Sequence, residues 1–177
     1  MQRDSEFLAT EKPSRLLVKL ALPAVTAQLV NMLYNIVDRM YIGRLEGIGT
    51  DALAGVGACL PVILLVSAFA ALASMGGAPR ASIFMGQGDR ESAERTMGNC
   101  MTFLLVLAAV LTAALLFFQR PILLAFGALP ETLGHALEYM NIYALGTVFV
   151  QIALGMNAFI TAQGFSRTSM LTVLIGA

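Results

Sequence analysis

Long apolar runs alternate along this chain with short stretches that hold most of the charge, glycine and proline. Leu16 to Ile42, Ala52 to Met75, Cys100 to Phe118 and Leu137 to about Thr161 are apolar runs, and a fifth opens at Met170. A helix needs about 20 predominantly apolar residues to cross the hydrocarbon, since lipid offers backbone groups no partner and the segment must bond them itself. With their flanks the runs predict spans at about 16–42, 52–75, 98–118 and 133–161, a leader at 1–15 and the start of a fifth span at 170–177. The expected fold class is an all-α membrane protein, a polytopic transmembrane helix bundle. Because "SMLTVLIGA" is too short to finish a span, the chain is expected to be the front part of a longer protein.

Composition strengthens this picture. The chain has 177 residues, 58% hydrophobic and 12% charged, whereas soluble domains are about 45–50% apolar and about 25% charged. Net charge is zero, leaving no basic face for nucleic acid. Cys59 and Cys100 fall inside apolar runs without CxxC spacing, and His135 is the single histidine, so neither a zinc site nor a disulfide framework is suggested, and no cofactor is expected. The first apolar run far exceeds the roughly 7–15 residues of a secretory signal core and is expected to be retained as a helix. Pro61, well inside the second run, predicts a kink or local unwinding, and "ALAGVGACLP" predicts close approach of a neighbouring helix.

Lys and Arg positions set the expected orientation, because cytoplasmic loops carry the excess. Arg3, Lys12, Arg15, Lys19, Arg80, Arg90, Arg95 and Arg167 fall on one side, and Arg39, Arg44 and Arg120 on the other. The N-terminus is therefore predicted to be cytoplasmic, with the chain in a bacterial inner membrane. Tyr34, Tyr41, Tyr139 and Tyr143 all fall toward the outer leaflet, as an interfacial aromatic belt or as the lining of an outward cavity. The glycines of "GGAPRASIFMGQGDRESAERTMGN" do not make a nucleotide loop: the GxGxxG pattern fails at Glu91 and no GK[ST] follows. Gly86, Gly88 and the Asp89 to Ser92 start signal punctuate two helices there.

The candidate chemistry lies within the apolar helices. Gln28, Asn31, Asn35 and Asp38 follow 3, 4, 3 spacing, which keeps them on one stripe of a helix. Such groups face the bundle or a watery cavity, and an intramembrane acid is a functional candidate by default. The alternative for the amides is interhelical glue, at about 0.6–2 kcal/mol per bond. For Asp38 the alternative is depth: it lies about 32 Å along the helix from Leu17, near the far hydrocarbon edge, where Arg39 or water can satisfy it. Tyr143, Thr147, Gln151, Asn157 and Thr161 form a second stripe, and together the two imply a shared polar interior. Carboxylate, amide and hydroxyl oxygens suit a proton or a hard cation, and no nucleophile, base and orienter set is present for an enzyme.

Three stretches, "LPAVTAQLVNMLYNIVDRMYIGRLEGIGTDALAGVG", "GGAPRASIFMGQGDRESAERTMGN" and "GMNAFITAQGFSRTSMLTVLIGA", resemble the multidrug and toxic compound extrusion (MATE) family, nearest in character to its MepA-like branch. The resemblance covers nearly the whole chain after the leader. It implies a twelve-helix antiporter of two six-helix lobes that exports amphipathic, often cationic drugs in exchange for H⁺ or Na⁺, and thereby contributes to antibiotic resistance. On that basis residues 16–177 are part of an N-lobe, and the partners are the lipid bilayer, the drug and the missing C-terminal portion. The resemblance carries the N-lobe coupling-cation role to Asp38 and Asn157, with Gln28, Asn31, Tyr34, Asn35, Tyr143, Thr147, Gln151 and Thr161 lining the cavity. The family's fifth-helix Asn and Asp are expected beyond Ala177.

Two rivals remain open at this stage. A lipid-linked precursor flippase has similar hydropathy but favours anionic headgroups, for which arginines within the spans are wanted; Arg39 and Arg120 lie only at span ends. A small membrane scaffold would use both stripes to hold helices together. The charge asymmetry generates a topology prediction: single cysteines at Gly49 and Leu129 label from outside intact cells, and those at Gln87 and Ser166 do not. Labelling at Gln87 by an impermeant reagent without lysis reverses the orientation.

Overall fold

A computed structural model describes residues 13–176 of the chain. The predicted leader lies mostly outside the described residues, including Arg3 and Lys12. Among the described residues every regular element is an α-helix: α1 (Pro13–Gly43), α2 (Gly49–Gly86), α3 (Arg90–Ala125), α4 (Leu133–Ala162) and α5 (Ser166–Gly176).

Local signals explain where the helices stop. Gly88, Gly127 and Gly164 have φ of 79°, 92° and 90°. Each sits just past a helix end, and each turn closes with the paired bonds of a Schellman motif, as in Gly164 N to Thr161 O at 2.9 Å and Phe165 N to Ile160 O at 3.2 Å. A left-handed φ is costly with a Cβ, so these three positions suit glycine. At the next start Asp89 caps α3, its carboxylate accepting from Ser92 N at 3.0 Å. The Ser92 contacts hold the Asp89 carboxyl below its ordinary pKa.

The helices outrun the apolar stretches that mark them. At about 1.5 Å per residue α2 and α3 are each over 50 Å long, well beyond the roughly 30 Å hydrocarbon, so their polar ends continue as helix into the aqueous layer. Helix α5 begins at Ser166, ahead of the apolar run at Met170, because the Gly164 turn sets its start. Pro61 and Pro79 lie inside an uninterrupted α2, so the local unwinding expected at Pro61 does not occur. Among the described residues, helices α2, α3 and α4 are long and apolar enough to cross a membrane.

Helices α2, α3 and α4 pack on one another, whereas α1 pairs with α5 and α2. The core of the three-helix unit runs in three clusters along its length. Cys59, Val62, Val66, Leu115, Leu123, Met140 and small alanines form one end, Ala70, Ala73 and Leu104 the middle, and Ala78, Ala81 and Phe159 the other end. Small residues dominate because lipid tails offer apolar groups as good an environment as another helix does, so association relies on close van der Waals contact. Glycines mark the closest approaches. A Cβ at Gly55 would lie 3.0 Å from Thr132 O and 3.1 Å from Ala136 N of α4, and one at Gly155 would collide with the Leu104 side chain, which is fully buried. Gly49 and Ser166 are themselves buried, which leaves exposed Leu129 and Gln87 as the informative topology reporters.

Filling the α3–α4 contact therefore has a definite sign. Gly155→Ala gains up to about 1 kcal/mol of helix propensity but forces a buried leucine to move, at about 1–3 kcal/mol. We expect a lowered melting temperature in detergent for Gly155→Ala. No such loss is expected for Gly57→Ala, where a Cβ meets nothing within 4 Å.

Candidate functional site: a cleft between α1, α4 and α5

Helix α1 attaches through a narrow seam and leaves a cavity of about 510 Å³ against α4 and α5, lined by Asn31, Tyr34, Asn157 and Thr172 among apolar walls from Ile152, Met156, Ile160 and Val173. The seam and the lining belong to one face. At the helical step of about 100° per residue, Ala27, Asn31, Tyr34 and Asp38 fall within about 60° of one another. Ala27 is buried in the seam, Asn31 and Tyr34 face the cavity, and Asp38 follows about 6 Å further along the helix. Gln28 and Asn35 lie about 60–80° to one side of Asp38.

All four polar residues of the α1 stripe are exposed. Asn35 Nδ2 donates to Asn31 O at 2.8 Å and lies 3.3 Å from Asn31 Oδ1, so the two amides are linked along the helix. Among the described residues Asp38 makes no ion pair with Arg39; the Glu91–Arg95 pair, on another helix, is the one present.

The α4 stripe divides in two. Thr147 and Gln151 are fully buried. Gln151 Nε2 donates to Val66 O of α2 at 2.8 Å, and Thr147 Oγ1 donates to Tyr143 O at 3.1 Å. Tyr143 stacks on Tyr139 at 6.5 Å between ring centroids, packed against the core of the three-helix unit. These three are part of the helix packing, and none of them lines the α1 cleft. Asn157 and Thr161, two turns on, turn toward α5, where Ser169 Oγ donates to Asn157 Oδ1 and Thr161 Oγ1 lies 2.9 Å from Ser169 Oγ. Thr172 Oγ1 donates to Ser169 O at 2.7 Å, which draws a further hydroxyl to the cleft.

The structure thus joins Asn31, Tyr34 and Asn157 around one cleft, with Thr161 bonded beside Asn157, and adds Thr172 to the lining and Ser169 to the bonded cluster, neither of which the polar stripes included. Their signal was present as a Ser-x-x-Thr spacing across the start of the fifth apolar run, where both hydroxyls share a helix face. The cluster offers amide and hydroxyl oxygens, the donor set of a hard cation or a hydrogen-bonded ligand.

Residues 23–177 match the family model for MatE. The chain is 30% identical over 162 residues to "Probable multidrug resistance protein NorM" of Pseudomonas putida, a match covering 90% of this chain and 34% of that protein. It is 25% identical to "Multidrug export protein MepA" of Staphylococcus haemolyticus, over 97% of this chain and 38% of that one. A "FAD transporter" of Shewanella oneidensis is 22% identical over 99% of this chain and 38% of its own length. The chain thus spans little more than a third of these relatives. A solved structure described as an outward-facing conformation of a multidrug resistance MATE family transporter superposes with a TM-score of 0.87 at 24% identity, covering 97% of this chain and 38% of that one. The family model reaches from the third turn of α1 to the end of α5, so the bundle built around this cleft belongs to the MatE family of multidrug and toxic compound extrusion transporters.

Proposed function

We propose that the chain is the N-lobe part of a secondary active exporter, which moves amphipathic, often cationic compounds out of the cell in exchange for H⁺ or Na⁺. It sits in the bacterial inner membrane with its N-terminus in the cytoplasm. The observation that carries this proposal is the cleft itself. Apolar walls with a few convergent polar groups suit a drug-sized amphipathic molecule, and the face of Tyr34 suits a cationic one. Among the described residues no arginine or lysine lines it. That argues against a lipid-linked precursor or a dinucleotide such as FAD as the cargo, since their phosphates call for cationic partners.

Asp38 supplies the exchangeable charge. It shares a helix face with Asn31 and Tyr34, so an ion that neutralises it changes the electrostatics at the mouth of the same cleft where a cationic drug competes. Asn157, held by Ser169 and Thr161, contributes neutral oxygens from the opposite wall. Coupling then follows from mutual exclusion: one fixed negative charge serves the drug or the ion.

The test uses the protein in the longest form its gene encodes, in cells lacking their own exporters. Asp38→Asn keeps size and hydrogen bonding, so membrane abundance stays near wild type while ion-driven ethidium efflux falls to background. Arg39→Gln is milder. Equal loss in both variants, with both poorly inserted, makes Asp38 and Arg39 a structural pair instead. A second expectation concerns the α4–α5 cluster: Ser169→Ala costs about 1 kcal/mol of stability but weakens the apparent affinity for the coupling ion roughly tenfold, as loss of a group orienting an ion ligand does. An unchanged ion dependence in that variant removes Asn157 from the ion site.

A further inference from the structure

A second cavity of about 510 Å³ lies away from the α1 cleft, between the C-terminal half of α2 and the first turns of α3, with Arg80 and Arg95 on its rim and Leu72, Gly76 and Cys100 in its floor. We infer that this cavity binds the headgroup phosphate of an anionic phospholipid, whose acyl chains run down over the apolar floor.

Height is the first argument. The apolar run of α2 closes at Met75 and that of α3 opens at Cys100. Arg80 and Arg95 each lie five residues beyond those borders, which is about 7.5 Å along a helix. The polar layer between hydrocarbon and water is about 5–8 Å thick on each side, so both guanidinium groups sit at phosphate level.

Convergence is the second argument. Solvation of a charged connection accounts for Arg90, which is exposed and does not line the cavity. It does not account for arginines from two different helices meeting over one cleft, beside Ser92, Thr96 and Asn99 of α3. Neither arginine is strongly engaged elsewhere. Arg80 lies over the Phe84 ring at 5.8 Å, and Arg95 meets Glu91 at 3.8 Å in a pair whose side chains are 76% and 89% exposed. An exposed pair of that kind is worth little and gives way to a phosphate.

The floor distinguishes a lipid from a free anion. A Cβ at Gly76 would meet nothing within 4 Å, so the missing side chain leaves the cleft open toward Leu72, which is 64% exposed. Inorganic phosphate has no use for that apolar surface, whereas a lipid covers both parts at once. Basic pockets between membrane helices at this level are suited to anionic headgroups.

The experiment measures the selectivity of spin-labelled phosphatidylglycerol over phosphatidylcholine for the protein, in the longest form its gene encodes, reconstituted in phosphatidylcholine vesicles. Wild type should prefer phosphatidylglycerol. Arg80→Gln and Arg95→Gln should each lower the preference about fivefold, and Arg90→Gln should leave it unchanged. Gly76→Leu should lower it with every charge intact, and inorganic phosphate should not displace the lipid more than chloride does at equal ionic strength. Each variant is read separately after its helical circular dichroism and elution volume are matched to wild type, so misfolding of one leaves the others decisive. Equal loss in Arg90→Gln would show diffuse surface charge and overturn the proposal. Full preference in Gly76→Leu, or specific displacement by phosphate, would overturn it as well.

Discussion

A polar side chain carried into hydrocarbon must be bonded by a neighbouring helix or face water, and the way α4 divides its polar residues between these outcomes organises the whole bundle. Gln151 takes the first course. Its amide crosses to the Val66 carbonyl and helps fix α4 on α2 inside a seam of alanines and glycines. Asn157, less than two turns later, combines the two: the Ser169 hydroxyl of α5 donates to its Oδ1, and the residue lines an open cleft. The same helix thus contributes to the packed unit at one level and to the cavity at another.

The contrast between the two parts of the bundle follows from how each is held. Helices α2, α3 and α4 meet through small residues, so their backbones approach closely and their contacts are extensive. Among the described side chains of α1, Ala27 is the buried one, and those from Asn31 to Tyr41 are all exposed. On that open surface Asn31, Tyr34 and Asp38 share one face. We propose that a helix attached by one seam, with an acid on the continuation of that seam, links ion binding to movement of a cavity wall. In the packed unit an acid would instead need a permanent partner.

Much of the architecture was legible in the sequence because the forces that shape it are local. Apolar runs mark the hydrocarbon, and Gly88 marks a turn where a Cβ is costly. The Asp89 cap is visible from residue types alone. What was not legible depends on tertiary placement. Periodicity put Tyr143, Thr147, Gln151, Asn157 and Thr161 on one stripe, yet it carries no information about which neighbour lies opposite each turn, and the stripe divides between α2 and α5. Hydropathy likewise ended α2 at Met75, because it senses lipid and not the helix that continues through Arg80 into the aqueous layer. The α1 stripe was read as Gln28, Asn31, Asn35 and Asp38, while the face turned to α4 and α5 is that of Ala27, Asn31, Tyr34 and Asp38. Ala27 gives no polar signal by which to find that face, and Tyr34 enters as one of the outer-leaflet tyrosines and not through the stripe.

The central claim is that this face of α1 lines a water-filled cleft, and thiol accessibility tests it most directly. With Cys59 and Cys100 replaced by alanine in the longest form the gene encodes, single cysteines go in at Asn31, Tyr34 and Asn157, and at Leu29 and Leu33 on the opposite side of α1. Rates of reaction with a small charged thiosulfonate are then measured in membranes, with and without an exported dye. The account predicts fast reaction at the first three positions, slowed by the dye, and little reaction at Leu29 and Leu33. Equal rates on both faces of α1, or no protection by the dye at Asn31 and Tyr34, would contradict it.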